Sequence, residues 1–146
     1  MNMYINPISS GKASEGEYND CTVRALANAG KFEYEEAHSL LKSSGRKNRK
    51  GAFVNQWGPA YISSGFKLEG VFGTTQAARH HARELAKYTT VSRYSGMTLK
   101  RFISGNLKGS FICVNRNHAF AVVNGKLIDS GSILENTRIS CIFKKK

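Results

Sequence analysis

The chain is poor in acidic residues: 10 Asp and Glu stand against 22 Lys and Arg, a formal charge of +12 over 146 residues. Charge of this size raises non-specific affinity for nucleic acid and other polyanions and steers acidic partners, but it dictates no fold. Cysteine is scarce as well. Cys21, Cys113 and Cys141 are odd in number and widely spaced, which excludes a disulfide framework and a short-spaced zinc knuckle and leaves at least one thiol free. No metal or other cofactor is expected. Apolar runs all fall short of the roughly 20 residues a membrane span needs. The start, Met1 to Ser10, lacks the charged-then-apolar layout of a secretion signal. These absences predict a soluble, cytoplasmic protein with no membrane contact. Internal repeats and low-complexity segments are also missing.

What is present is a foldable composition: 40% hydrophobic and 10% aromatic residues, too apolar for a disordered basic tail. The length fits one domain over residues 1–146, with roughly two-thirds of the unfolded surface buried. The basic excess is concentrated locally. Lys42, Arg46, Lys47, Arg49 and Lys50 crowd one Gly- and Ser-containing segment, and Lys144 to Lys146 form a C-terminal basic tail; such runs are usually solvated loops and ends. Arg46, Lys47, Arg49 and Lys50, together with Arg79 and Arg83, are the candidate polyanion contacts.

Residues 1–17, with Pro7, Gly11 and Gly16 among few apolar residues, read as an irregular lead-in. Asn19 or Asp20 then caps a short, mostly buried helix from Cys21, with Val23, Leu26 and Ala27 at helical spacing and Gly30 as its terminator. A second helix is predicted over Tyr34–Lys42, led by Glu35 and Glu36, and a third over Phe53–Ser63, bent near Gly58-Pro59. Phe66–Phe72 is extended and Ala77–Lys87 helical; Thr98 caps a short helix through Ile103. The last third is strand-rich: Phe111–Val114, His118–Val123, Lys126–Ser130 and Arg138–Phe143, with Asn124-Gly125 as a hairpin turn. Helices first and an antiparallel sheet afterwards predict the α+β class.

Two segments carry chemistry. A helix N-terminus favours a thiolate, because its unpaired N–H groups and dipole stabilise negative charge, and Cys21 stands at one. In the predicted hairpin Val123 faces Lys126, Val122 faces Leu127, Ala121 faces Ile128 and Phe120 faces Asp129. His118 then shares a face with Phe120 and lies diagonal to Asp129, roughly 7–8 Å away by backbone, within reach of long side chains. A carboxylate on an imidazole fixes its tautomer and leaves the other nitrogen for a thiol proton. A one-residue slip of the hairpin would turn Asp129 to the other face.

The segment Asn19-Asp20-Cys21-Thr22-Val23-Arg24-Ala25-Leu26-Ala27, with a late His118-Ala-Phe-Ala-Val-Val-Asn-Gly-Lys-Leu-Ile-Asp129, resembles the papain-like cysteine peptidase superfamily, in particular its small single-domain members encoded by bacteriophages and prophages. The resemblance spans about Tyr18 to Ser130, with only its two end segments specific. It implies a papain-like fold, the nucleophile at the start of an early helix packed on a C-terminal sheet. By residue it implies Cys21 as nucleophile, His118 as general base and acid, and Asp129 as the orienting carboxylate. The expected activity is thiol hydrolysis of a peptide or isopeptide bond, on a host or viral protein in the host cytoplasm, with acidic substrates favoured by the charge. Deamidation or acyl transfer by the same triad, and a non-catalytic scaffold that binds a host protein or nucleic acid, are the alternatives. The chain departs from the family at Glu15, where papain-type enzymes carry a Gln that donates to the oxyanion. Asn19, with the backbone N–H of Cys21, is the replacement candidate, and helix capping is its competing role.

The remaining candidates read as structural. His80 and His81 are adjacent in a basic helix and lack the i, i+4 spacing of a metal pair; they are expected on a solvated face. His38 is expected on a helix surface, Trp57 in the core, and Cys113 and Cys141 as buried, inert thiols.

Overall fold

The structure, a computed structural model, describes residues 4–5, 19–105, 107–128 and 133–146. Along the chain run β1 (Tyr4–Ile5), α1 (Cys21–Gly30), α2 (Tyr34–Ser43), α3 (Val54–Ser63), β2 (Phe66–Phe72), α4 (Gln76–Leu85), β3 (Arg93–Tyr94), β4 (Met97–Thr98) and α5 (Leu99–Ser104). β5 (Ser110–Val114), β6 (Ala119–Val123), β7 (Lys126–Ile128), β8 (Arg138–Ile139) and β9 (Cys141–Lys145) follow. The fold is α+β. Seven strands form one sheet in the order β1-β7-β6-β5-β9-β2-β3, antiparallel except for the two edge pairs, and β4 and β8 form a separate two-stranded ribbon.

Local chemistry explains most element ends. Glu36 accepts the Glu33 N–H at 3.2 Å, and Gln56 the Phe53 N–H at 2.9 Å, so α2 and α3 each open with a back-reaching side chain. Thr75 Oγ1 accepts from Ala78 N, and Thr98 Oγ1 from Arg101 N, at the starts of α4 and α5. α1 ends differently from expectation. Lys31 takes the left-handed conformation (φ 58°), while Gly30 is needed for space: a Cβ there would stand 2.5 Å from the Phe32 ring.

The central sheet separates two apolar cores. Ile112, Val114, Ala119, Ala121, Cys141 and Phe143 face α1–α4, whereas Phe111, Cys113, Phe120, Val122 and Ile142 face α5, the period-two alternation of strands buried on both sides. In β2 the register against β9 shifts between Leu68 and Gly70. This bulge keeps Val71 on the helical side and turns Phe72 to the other. α1 is buried nearly all round, with Val23, Ala25, Leu26, Ala27 and Ala29 inside, and it meets the small side chains of Ala119 and Ala121 on β6.

The hairpin register is Val123↔Lys126, Val122↔Leu127, Ala121↔Ile128, as expected, with Asn124 and Gly125 both at positive φ (50° and 78°). Other expectations need correction. A two-residue strand, β1, sits within the segment read as irregular lead-in and pairs parallel with β7; the rest of 1–17 lies outside the described residues. Lys144 and Lys145, read as a tail, complete β9. Lys144 lies over the Phe111 ring, and Lys145 Nζ donates to the Gly30 carbonyl at 2.9 Å, at the negative end of α1. The strand run over 138–143 is divided at Ser140 between ribbon and sheet. Among the described residues no helix is long and apolar enough to cross a membrane.

Candidate active site

Cys21 is the first residue of α1 and half-buried. Asp20 is the N-cap, but its side chain makes no capping hydrogen bond. Its buried carboxylate instead accepts the Tyr34 hydroxyl at 2.6 Å and pairs with Arg24 Nε at 3.1 Å. The first-turn N–H groups beside the thiol are therefore not taken by the Asp20 carboxylate, and the positive end of the helix dipole is left to act on Cys21.

The direction of α1 across the sheet decides what Cys21 can meet. Its last residue, Gly30, is held by Lys145 at the far end of β9, and a Cβ on Gly30 would lie 3.5 Å from Phe66, the partner of Lys145. Ten helical residues rise about 15 Å, the length of the five-residue strands beneath. α1 packs chiefly on β6 and β5, and the row Ala119–Val114–Cys141–Val71 closes the opposite end of the sheet across β6, β5, β9 and β2. Tyr61 ties the first turn of α1 to α3. Its hydroxyl donates to the Thr22 carbonyl at 2.9 Å; burial above all, then the neighbouring Cys21 and Cys141 thiols, holds it well above the usual tyrosine range.

His118 directly precedes Ala119 in that row. Its backbone is fixed by Asn115: the side-chain Oδ1 accepts from the N–H groups of Asn117 (2.9 Å) and His118 (2.7 Å), and the Asn115 N–H donates to the His118 carbonyl at 2.9 Å. The half-buried imidazole stacks on Phe120, centroids 6.1 Å apart. α1, which begins at Cys21, packs on the helical face of β6, and His118 leads into the same strand with its ring against Phe120 on the α5 face. Asp129 and Glu15 lie outside the described residues. Asn19 is exposed at φ 57°, and its amide donates to the Arg49 carbonyl at 3.3 Å.

Compared with known protein families, with curated proteins and with solved structures, the chain matches none. The geometry stands alone.

The basic candidates divide. Lys47, Arg49, Lys50, Arg79 and Arg83 are exposed, but Arg46 is 2% exposed, with its guanidinium 3.5 Å from the Asn19 carbonyl. It braces the chain ahead of Cys21. His38 is buried against Tyr34, not on a helix surface, because the face of α2 that carries Tyr34 and Leu41 carries it inward too. Trp57 is core, as expected, and Cys113 and Cys141 are buried with thiols that burial pushes well up. Among the described residues no group of His, Cys, Asp and Glu is arranged to hold a metal ion.

His81 is buried rather than solvated. Ser140 Oγ donates to the Val114 carbonyl at 2.8 Å, so in its 2.8 Å contact with His81 Nδ1 it is the acceptor, and the ring carries its proton on Nδ1. Ser140 is therefore no nucleophile for His81. Burial first, then the nearby His80, lowers His81 to about 4. The unfolded chain takes up a proton near 6.5 that the folded one refuses until about 4, so stability falls as pH drops across that window. The loss is on the order of 2–3 kcal/mol. Urea titrations at pH 7 and pH 4.5 read it, and His81→Asn, whose amide replaces the Nδ1–H, is expected to flatten the dependence.

Sequence reasoning missed Asn115 and a groove of about 980 Å³ at this same end of the sheet, lined by Arg79, His80, Arg83, Arg116 and Arg138 over Phe72, Met97 and Ile139. Asn115-Arg-Asn117 between two strand runs carried a turn signal. The groove had no local signal, because its walls come from four separate segments.

Proposed function

We propose that this protein is a papain-like thiol hydrolase that cleaves peptide or isopeptide bonds, of the kind a bacteriophage uses on a protein in its host. The observation that carries the reading is that α1, which begins at Cys21, packs on β6, the strand His118 leads into. In this reading the Cys21 thiolate attacks the carbonyl carbon and forms the C–S bond. The backbone N–H of Cys21 donates to the developing oxyanion, with Asn19 joining once it gives up its long bond to Arg49. His118, holding the thiol proton, passes it to the leaving amine as the C–N bond breaks. Water then releases the acid and restores the thiol. Asp129 is the third member that the resemblance to papain-like peptidases implies. Its carboxylate orients the imidazole.

The test is selective alkylation. Iodoacetamide at pH 6.5 is expected to modify Cys21 in the native protein at least about tenfold faster than an unperturbed thiol, with His118→Ala returning it to the ordinary rate. A Cys21 rate indifferent to His118 would overturn the proposal.

A further inference from the structure

We propose that the arginine-lined groove beside the candidate active site binds an acidic segment of a peptide substrate, three to four residues from the bond presented to Cys21. This inference rests on the thiol-hydrolase reading for its geometry, while the groove itself can be tested without it. Arg79, His80 and Arg83 come from α4, Arg116 from the β5–β6 turn and Arg138 from β8, around one open space of about 980 Å³. No Asp or Glu lines it among the described residues. Arg79, Arg83, Arg116 and Arg138 are all exposed and none forms an ion pair among the described residues; Arg79 Nε is spent on the Thr74 carbonyl and Arg83 leans on His80. Guanidinium forks converging with no carboxylate among the described residues fit carboxylates. The N-terminal turn of α4, at Thr75, Gln76 and Ala77, adds its positive end to the same wall.

Position selects a peptide rather than a nucleic acid. Arg116 belongs to the turn whose Asn115 fixes the His118 backbone, so the four residues Asn115–His118 both wall the groove and place His118. The groove opens above β9 and β2, two to three strand spacings from β6, or about 10–14 Å. An extended peptide covers that in three or four residues. Its floor of Phe72, Met97 and Ile139 suits aliphatic side chains between the acids, and one face of Phe72 is already taken by Tyr94, centroids 5.4 Å apart.

The experiment measures binding of a fluorescein-labelled peptide with six consecutive glutamates to the Cys21→Ala protein by anisotropy at 50 mM salt. Cys21→Ala removes chemistry from the readout. Binding is expected, with a steep salt dependence, and Arg79→Gln/Arg138→Gln and Arg83→Gln/Arg116→Gln are each expected to weaken it at least tenfold. Lys100→Gln, exposed on α5 outside the groove, is expected to leave it within twofold. Circular dichroism shows that each variant is folded, and two independent double variants guard against loss of one. Equal binding by the variants overturns the groove. Tighter binding of an oligothymidylate of equal charge through the same arginines overturns the peptide in favour of nucleic acid. Groove binding with no Cys21 reactivity would fail the hydrolase reading and leave the groove standing; a reactive Cys21 with no groove effect would do the reverse.

Discussion

Cys21→Ala is expected to abolish the burst of p-nitrophenolate when the protein meets a p-nitrophenyl ester, and to lower the steady rate by at least about 10³-fold. Two other thiols remain in that variant, but Cys113 and Cys141 are buried with raised pKa values, so neither can substitute. His118→Ala is expected to cost a similar factor, because the thiol then lacks both its base and the acid that protonates the leaving group. Residues that act as one unit are not additive. The double variant is accordingly expected to react no more slowly than Cys21→Ala alone, and a further loss of tenfold or more would mean that the two side chains work separately.

Trp57→Ala is expected to destabilise the fold by about 3–5 kcal/mol in urea titration followed by circular dichroism. The indole meets His81 (5.2 Å, edge-on), Tyr61 (5.9 Å) and Phe143 (6.0 Å, edge-on), so it joins α3, α4 and β9 in one aromatic cluster. Tyr61 in that cluster anchors the first turn of α1. Loosening it therefore reaches Cys21, and it admits water to His81, whose titration is expected to move from about 4 back toward the ordinary histidine value. A loss below about 1 kcal/mol would show that the helices are held to the sheet by other contacts.

How much of this was legible depends on whether the deciding partner is near in sequence. The β6–β7 hairpin was readable to the residue, because both turn positions need positive φ and Asn-Gly supplies it. The start of α5 was marked by Thr98, whose hydroxyl caps within three residues; Thr75, which caps α4 in the same way, went unread. Cys21 was placed at a helix start by its neighbours alone. The parallel pairings of β1 with β7 and β2 with β3 were not visible, since two-residue strands carry no period and are stabilised by chain far away. The burial of His81 and Arg46 was hidden for the same reason: their partners, Ser140 and Asn19, stand 59 and 27 residues off. The groove is the extreme case, with cations drawn from α4, a turn and β8. Charge counting found Arg79 and Arg83 but could not join them to Arg116 and Arg138.

The central claim is that Cys21 and His118 act as one pair. Cross-linking of the native protein with a short bifunctional alkylating agent, read by peptide mass spectrometry, tests it most directly. A Cys21–His118 cross-link is expected, and it is expected to be absent in Cys21→Ala and in His118→Ala. Alkylation of Cys21 with no bridge to His118 would contradict it.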